Sequence, residues 1–204
     1  MNHLFYIMGK SASGKDSVYQ WLLRELPLKP VVLYTTRPRR AHEQDGREYH
    51  FITVEQLREM RAKSQLLESR TYHTEAGDWT YCTAKDAADL SAGSYLAIGT
   101  LESYLPIRAY YGEEAVVPIY IEVDDGVRLA RALERERQEK TPRYTELCRR
   151  FLADAEDYAE ENLMQAEIGR RFENQDFAAC TAEIRAYIAA LLADNGTAVD
   201  SEAV

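Results

Sequence analysis

The stretch Leu4-Phe5-Tyr6-Ile7-Met8-Gly9-Lys10-Ser11-Ala12-Ser13-Gly14-Lys15-Asp16-Ser17 decides the fold of this 204-residue chain. Its first five residues are apolar and rich in aromatic and branched side chains, which predicts a buried strand. From Lys15, apolar residues recur at helical spacing, which predicts a helix over 15–26. A glycine-containing loop between a strand and a helix is typical of a phosphate site, because backbone N–H groups and the helix N-terminus are directed at the anion.

The spacing of Gly9, Gly14 and Lys15 is that of a nucleotide-phosphate loop, in which the lysine reaches the outer phosphates. The predicted phosphate-binding residues are Gly9, Ser11, Ala12, Ser13, Gly14, Lys15, Asp16 and Ser17. The position after the lysine is normally Ser or Thr, whose hydroxyl binds Mg²⁺, and here it is Asp16. A carboxylate is also a good ligand for this cation, so Asp16 is the candidate metal ligand. The alternative is that Asp16 only stabilises the helix N-terminus.

Charge and composition exclude several classes of protein. The chain has 34 acidic and 25 basic residues and a net charge of −9, which would repel a nucleic acid polymer. Its apolar runs are too short to cross a membrane, and no signal peptide is visible. The three cysteines are widely spaced and odd in number, which predicts reduced thiols and a cytoplasmic location.

A second group of cations lies in an otherwise acidic chain. Arg37, Arg39, Arg40 and Arg47 fall within eleven residues. Guanidinium groups bind phosphate in a bidentate manner, so we predict a second phosphate site here. The alternative is a solvated basic turn.

Strands and helices alternate along most of the chain, which predicts an α/β fold with a mainly parallel sheet and helices on both faces. Further strands are predicted at 31–34, 49–53, 66–69, 94–99 and 116–123, and further helices at 54–63, 101–111, 124–139, 142–163 and 177–192. We expect one domain over 1–193, with a core of 1–34, 87–127 and 151–193. An inserted acceptor-binding lobe is expected over 35–86, a helical lid over 128–150 and a flexible tail over 194–204.

The run from Thr35 to Tyr49 reads Thr-Thr-Arg-x-x-Arg-x-x-Glu-x-x-Gly-x-x-Tyr. With the phosphate loop before it and arginines after it, the chain resembles the guanylate kinase family from about residue 4 to residue 188. The resemblance implies a fold of the P-loop NTPase type, with ATP as the nucleotide at the phosphate loop. It also implies that Arg37, Arg40 and Tyr49 hold the phosphate of a nucleoside monophosphate.

The same resemblance implies further site residues. Glu68 takes the place of the family's guanine-recognising glutamate, and Thr35, Tyr81 and Thr83 complete the expected GMP-binding set. The lid arginines are best matched by Arg135, Arg137 and Arg150, which with Lys15 and Arg37 form the expected catalytic set. Asn174 resembles the residue beside the family's adenine pocket, and its alternative interpretation is a polar loop.

Several positions depart from the family pattern. Where the family has a strand ending in Asp-x-Asp, this chain reads Leu96-Ala97-Ile98-Gly99-Thr100. Cys82 and His42 stand where the family has glycines. Leu33 lies near the position at which the family has a serine that contacts the base. Asp16 and Tyr104-Leu105-Pro106 resemble a sister group, the ribose 1,5-bisphosphate phosphokinases.

We therefore predict ATP-dependent phosphoryl transfer to GMP, with Mg²⁺ as cofactor and ATP and GMP as the partners. No polymer of nucleic acid and no membrane is expected as a partner, and the chain is expected to be a monomer or homodimer. The alternatives are a kinase for ribose 1,5-bisphosphate and a catalytically weak binding module.

Overall fold

Two β-sheets organise the chain in the computed structural model, which describes residues 1–74 and 77–194. The strands are β1 (Leu4–Met8), β2 (Lys29–Pro30), β3 (Leu33–Thr35), β4 (Tyr49–Phe51), β5 (Leu66–Thr74), β6 (Gly77–Ala84), β7 (Tyr95–Ile98), β8 (Val116–Glu122) and β9 (Arg171–Glu173). The helices are α1 (Lys15–Glu25), α2 (Val54–Ala62), α3 (Leu101–Tyr111), α4 (Asp125–Arg137), α5 (Tyr144–Asp157), α6 (Glu160–Gln165) and α7 (Phe177–Asp194).

The larger sheet has five parallel strands in the order β2-β7-β1-β8-β9. All five residues of β1 are buried, because successive side chains point to opposite faces and both faces are covered. Leu4, Tyr6 and Met8 pack in one core with α3 and α6. Phe5 and Ile7 pack in the other with α1 and α7. The predicted α/β fold with helices on both faces is confirmed.

The smaller sheet has the order β4-β3-β6-β5, with β5 and β6 forming a long antiparallel hairpin. The sequence predicted only residues 66–69 of this hairpin as strand. Burial in β6 changes from exposed to buried along the strand, so no clean alternation marks it in the sequence.

The predicted strand over 31–34 is divided between the two sheets. The N–H of Val31 donates to the carbonyl of Leu96 in the larger sheet, whereas β3 pairs with β4 and β6 in the smaller one. The chain therefore crosses from one sheet to the other at Val31 and Val32, and it returns between Ala84 and Tyr95.

The helix predicted over 142–163 is two helices, because the chain turns at Tyr158 and Ala159 before α6 begins. No helix in the described part of the chain is both long enough and apolar enough to cross a membrane. The tail predicted from residue 194 lies, from residue 195 onward, outside the described residues.

Candidate active site

The predicted phosphate loop connects the end of β1 to the first turn of α1. Gly14 has φ +85°, a left-handed conformation that glycine adopts without strain, and it directly precedes α1. The N–H of Ser13 donates to the carbonyl of Lys10 across the loop, 3.2 Å away. Lys15 lies in the first turn with its Nζ 3.9 Å from Oδ2 of Asp16. The loop and the helix N-terminus thus form the backbone geometry that binds phosphate.

Asn174 supports this loop from the end of β9. Its Nδ2 donates to the carbonyl of Ser13 over 2.7 Å, and its own N–H donates to the carbonyl of Glu122. The side chain is buried, and Oδ1 has no hydrogen-bond partner among the described residues. Asn174, which the resemblance placed beside the adenine pocket, is therefore a structural contact of the phosphate loop.

Arg128 connects helices α4 and α5 to the phosphate loop, a role that the sequence did not reveal. Its side chain is 1% exposed, and Nη1 donates to the carbonyl of Ser11 at 2.9 Å and to Asp154 at 3.3 Å. The N–H of Ser11 in turn donates to Oδ2 of Asp154 over 2.8 Å. Nε and Nη2 of Arg128 bind Asp125. Helices α4 and α5 are thereby bonded directly to the backbone of the phosphate loop.

Arg131 makes a related contact one turn further along α4. Its Nη2 donates to the carbonyl of Asn174 at 3.0 Å. Residues three apart lie on one face of a helix, so Arg128 and Arg131 both project from α4 toward the loop. The sequence did not predict this buried face, because arginines and glutamates alternate along α4 and that pattern favours an exposed, salt-bridged helix.

The three predicted lid arginines are on the solvent side. Arg135 and Arg137 lie exposed in the last turn of α4. Arg150 lies in α5, where its Nε binds Glu146 at 2.7 Å beside Arg149. Among the described residues, none of these three side chains forms a hydrogen bond to the phosphate loop.

The predicted second phosphate site is centred on Arg37. This side chain is 5% exposed and forms a bidentate pair with Glu43, with Nη–Oε distances of 2.7 and 3.1 Å. Its Nε donates to the hydroxyl of Tyr81 at 3.2 Å, and its N–H donates to Oγ1 of Thr35. Glu43 also accepts from the N–H of Arg40, so one carboxylate fixes the whole turn.

The hydrogen bonds from Arg37 lower the pKa of Glu43 from 4.5 to about 2, despite an opposing effect of burial, and the N–H of Arg40 adds to the shift. The carboxylate is therefore ionised throughout the neutral range. The side chain of Arg40 is exposed, so its charge remains accessible at the edge of the site.

Tyr49 joins this cluster from β4. Its ring packs edge-on against that of Tyr81 at 5.5 Å and lies 5.5 Å from the guanidinium of Arg37. Burial raises the pKa of Tyr49, and the nearby Tyr81 and Asp16 raise it further. Asp16 belongs to the first turn of α1, so its charge acts on Tyr49 from the phosphate-loop side.

Glu68 and Thr83 lie on the same sheet, further from Arg37. The hydroxyl of Thr83 donates to Oε1 of Glu68 at 2.6 Å. Arg70, which the sequence analysis did not select, donates from Nε to Oε2 of Glu68 at 3.1 Å and from Nη1 to Oγ1 of Thr100 at 3.0 Å. The sequence did contain a signal for Arg70: in a strand, residues 68 and 70 lie on the same face, so Arg70 is expected beside Glu68.

Two of the departures noted in the sequence have simple structural consequences. Thr100, in the segment where the family has aspartates, caps α3 and accepts from Arg70. The thiol of Cys82 is fully buried, and burial raises its pKa to about 11, so it behaves as an apolar group.

Among the described residues, no group of three or more His, Cys, Asp or Glu side chains converges on a metal site. The side chain of Asp16 is 85% exposed at the mouth of the phosphate loop. Mg²⁺ in phosphoryl-transfer sites is commonly held by one or two carboxylates together with substrate phosphates and water. A single exposed carboxylate beside the loop fits that kind of site.

Comparisons with known proteins agree with the predicted family. The guanylate kinase family model matches residues 1–88. The guanylate kinase of Cupriavidus pinatubonensis is 38% identical over 72 residues, which are 35% of this chain and 33% of that protein. The guanylate kinase of Dechloromonas aromatica is 37% identical over 93 residues, 45% of each chain. The sequence matches to these relatives thus span less than half of their length.

The fold similarity extends further than the sequence similarity. The crystal structure of guanylate kinase from Anaplasma phagocytophilum superposes with a TM-score of 0.60 over 93% of this chain and 85% of that one, at 16% identity. The family model matches the first 88 residues, and the fold is similar to that of a guanylate kinase along nearly the whole chain. Both comparisons agree with the resemblance to guanylate kinases that the motifs indicated.

Proposed function

We propose that this protein is an ATP-dependent kinase that transfers a phosphoryl group to GMP, giving GDP and ADP. The observation that carries the proposal is that the chain holds two candidate anion sites, one at each of its two sheets. The phosphate loop leads from β1 into α1 of the larger sheet, and Arg37, Tyr49 and Tyr81 contact one another at the smaller sheet. The alternatives, a kinase for ribose 1,5-bisphosphate or a catalytically weak binding module, are not favoured by the family relationships.

Phosphoryl transfer between two bound substrates requires alignment and charge neutralisation, and no covalent nucleophile on the protein. In the proposed reaction, the loop backbone and Lys15 hold the phosphates of ATP. Arg37 and Arg40 hold the phosphate of GMP, and the hydroxyls of Tyr49 and Tyr81 donate to it. The ion pair with Glu43 holds Arg37 in place before GMP binds, which lowers the free-energy cost of orienting the guanidinium group.

We assign the cofactor role to Mg²⁺, with Asp16 as its protein ligand. When bound, Mg²⁺ neutralises negative charge on the phosphate oxygens. The exposed Arg135, Arg137 and Arg150 are proposed to complete the site when a lid over 128–150 closes on the acceptor lobe over 35–86. Such closure would exclude water and so limit hydrolysis of ATP.

A coupled ADP-release assay tests this proposal, with GMP, dGMP, AMP, UMP and ribose 1,5-bisphosphate as separate acceptors. We expect ADP release that depends on GMP and is lost in Lys15→Ala. Turnover with ribose 1,5-bisphosphate in place of GMP, or no turnover with any acceptor, would contradict it.

A further inference from the structure

Glu68 and Arg70 form a nearly buried ion pair on the acceptor side of the β5–β6 hairpin. Their side chains are 7% and 13% exposed. The strand register places Glu68 opposite Thr83 and Arg70 opposite Tyr81. Tyr81 is the residue that binds Nε of Arg37, so the ion pair continues the surface that begins at the phosphate-binding cluster. Two residues along a strand span about 7 Å, which is the scale of a sugar ring between a phosphate and a base.

The hydrogen bonds of this pair leave polar groups available. Arg70 uses Nε and Nη1, whereas its Nη2 has no hydrogen-bond partner among the described residues. Each oxygen of Glu68 accepts one bond, from Thr83 or from Arg70, and keeps a further lone pair. The pair therefore presents an unused donor beside an unused acceptor.

Apolar side chains lie beside Arg70 and Thr83. Arg70 and Thr83 line a narrow cavity together with Leu33 and Ile98. Burying an ion pair does not in general stabilise a fold relative to apolar residues, so fold stability alone does not account for the pair.

We propose that Arg70 is a specificity-determining residue of the acceptor site, which together with Glu68 selects a purine that has a carbonyl group at C6. The inference rests on the proposed function. A 6-oxopurine offers an oxygen acceptor at C6 for Nη2 of Arg70, and its protonated N1 donates to Glu68. Adenine offers an amino donor at C6 and an unprotonated N1, so both contacts would be mismatched.

Equilibrium binding by calorimetry separates base recognition from phosphate recognition. The ligands are GMP, AMP and ribose 5-phosphate, which lacks the base. In Arg70→Met, GMP affinity should fall about 10- to 100-fold, because a charged hydrogen bond to the base is lost. Ribose 5-phosphate affinity should stay within about twofold, since its contacts are at Arg37 and Tyr49.

Two further variants control for structural effects. Arg70→Lys keeps a positive charge beside Glu68 but loses the planar set of guanidinium donors. We therefore expect an intermediate loss of affinity that is confined to GMP. Arg61→Met removes an arginine whose Nη2 binds the exposed Ser69, one residue from Glu68 and on the other face of β5, and it should change none of the three affinities.

The result that would overturn the inference is an unchanged ratio of GMP to ribose 5-phosphate affinity in Arg70→Met, while the wild type phosphorylates GMP. Equal losses for all three ligands would also overturn it, because a general distortion of the site would then explain the effect. A wild type that neither binds nor phosphorylates GMP would instead overturn the proposed function, and the inference with it.

Discussion

The side-chain amide of Asn174 fills the space beside Gly14 in which a Cβ would lie, since a Cβ there would be 2.5 Å from Nδ2. The same amide group donates to the carbonyl of Ser13. Glycine is therefore required at position 14 for two reasons: the left-handed φ, and the close contact that a Cβ there would make with Asn174.

Gly14→Ala should consequently lower ATP affinity at least tenfold and destabilise the protein by about 1–3 kcal/mol. Isothermal titration with ATP and denaturant unfolding measure the two effects. Gly112→Ala is the matched control, because Gly112 also has a positive φ, +98°, but nothing lies within 4 Å of its Cβ position. If both variants bind ATP as tightly as the wild type, the close contact between Gly14 and Asn174 does not contribute to ATP binding.

Arg37→Ala should raise the KM for GMP and lower kcat about 10²- to 10³-fold while leaving ATP binding intact, because the proposed ATP site at the phosphate loop does not include Arg37. Steady-state kinetics and ATP titration measure the two quantities separately. Arg39→Ala, at an exposed neighbouring position, serves as the control and should change kcat less than threefold. An equal loss of ATP binding in Arg37→Ala would contradict the assignment of separate donor and acceptor sites.

Stability at acid pH should depend on Glu43. Its folded-state pKa, about 2, lies below its unfolded value near 4.5, so the ionised carboxylate stabilises the fold above pH 4.5. That stabilisation is lost progressively as pH falls from 4.5 toward 2. The free energy of unfolding of Glu43→Gln should therefore decline less steeply than that of the wild type between pH 5 and pH 2.5, as measured by urea titrations.

Glu55→Gln, which removes an exposed carboxylate from α2, should show the wild-type slope over the same range. Parallel curves for Glu43→Gln and the wild type would show that the Arg37–Glu43 pair does not couple folding to protonation.

Arg128→Met should destabilise the protein by about 3 kcal/mol, the low end of the range for a broken buried ion pair because Asp125 is half exposed. Arg149→Met, which breaks an exposed pair with Glu146, should change stability by less than about 1 kcal/mol. Thermal and chemical unfolding of the two variants gives the comparison. Similar stabilities for both would mean that the contact of Arg128 with Ser11 and Asp154 contributes little.

Asp16→Ala should raise the Mg²⁺ concentration needed for half-maximal turnover by about tenfold, because one carboxylate ligand is lost. Asp16→Ser, which introduces the hydroxyl usual at this position of such loops, should restore much of the loss. A normal Mg²⁺ dependence in Asp16→Ala would remove Asp16 from the metal site and leave it as a helix N-terminal charge.

Local signals explain what the sequence predicted. The strand over Leu4–Met8, the loop and α1 follow from adjacent residues, so their positions agree with the structure almost residue for residue. The capping threonine at position 100 similarly fixes the start of α3 at Leu101.

Long-range contacts explain what it did not predict. Arg70 meets Thr100 across thirty residues, and Arg128 meets Ser11 across 117, so no local pattern marks either pair. Arginines occur on several faces of α4, so their spacing in the sequence does not show which of them is buried. Only tertiary packing separates the buried Arg128 from the exposed Arg135 and Arg137.

The passage of the chain from β2 to β3 through Val31 and Val32 has a mechanical consequence. The N–H of Val31 is bonded to the larger sheet and that of Thr36 to Thr80 in the smaller one, so few backbone torsions separate the two sheets. Together with the return segment before β7, this short connection would have to absorb any movement of the smaller sheet relative to the phosphate loop. Val32→Pro fixes one of these torsions, so it would restrict that movement without altering any residue of the two proposed anion sites.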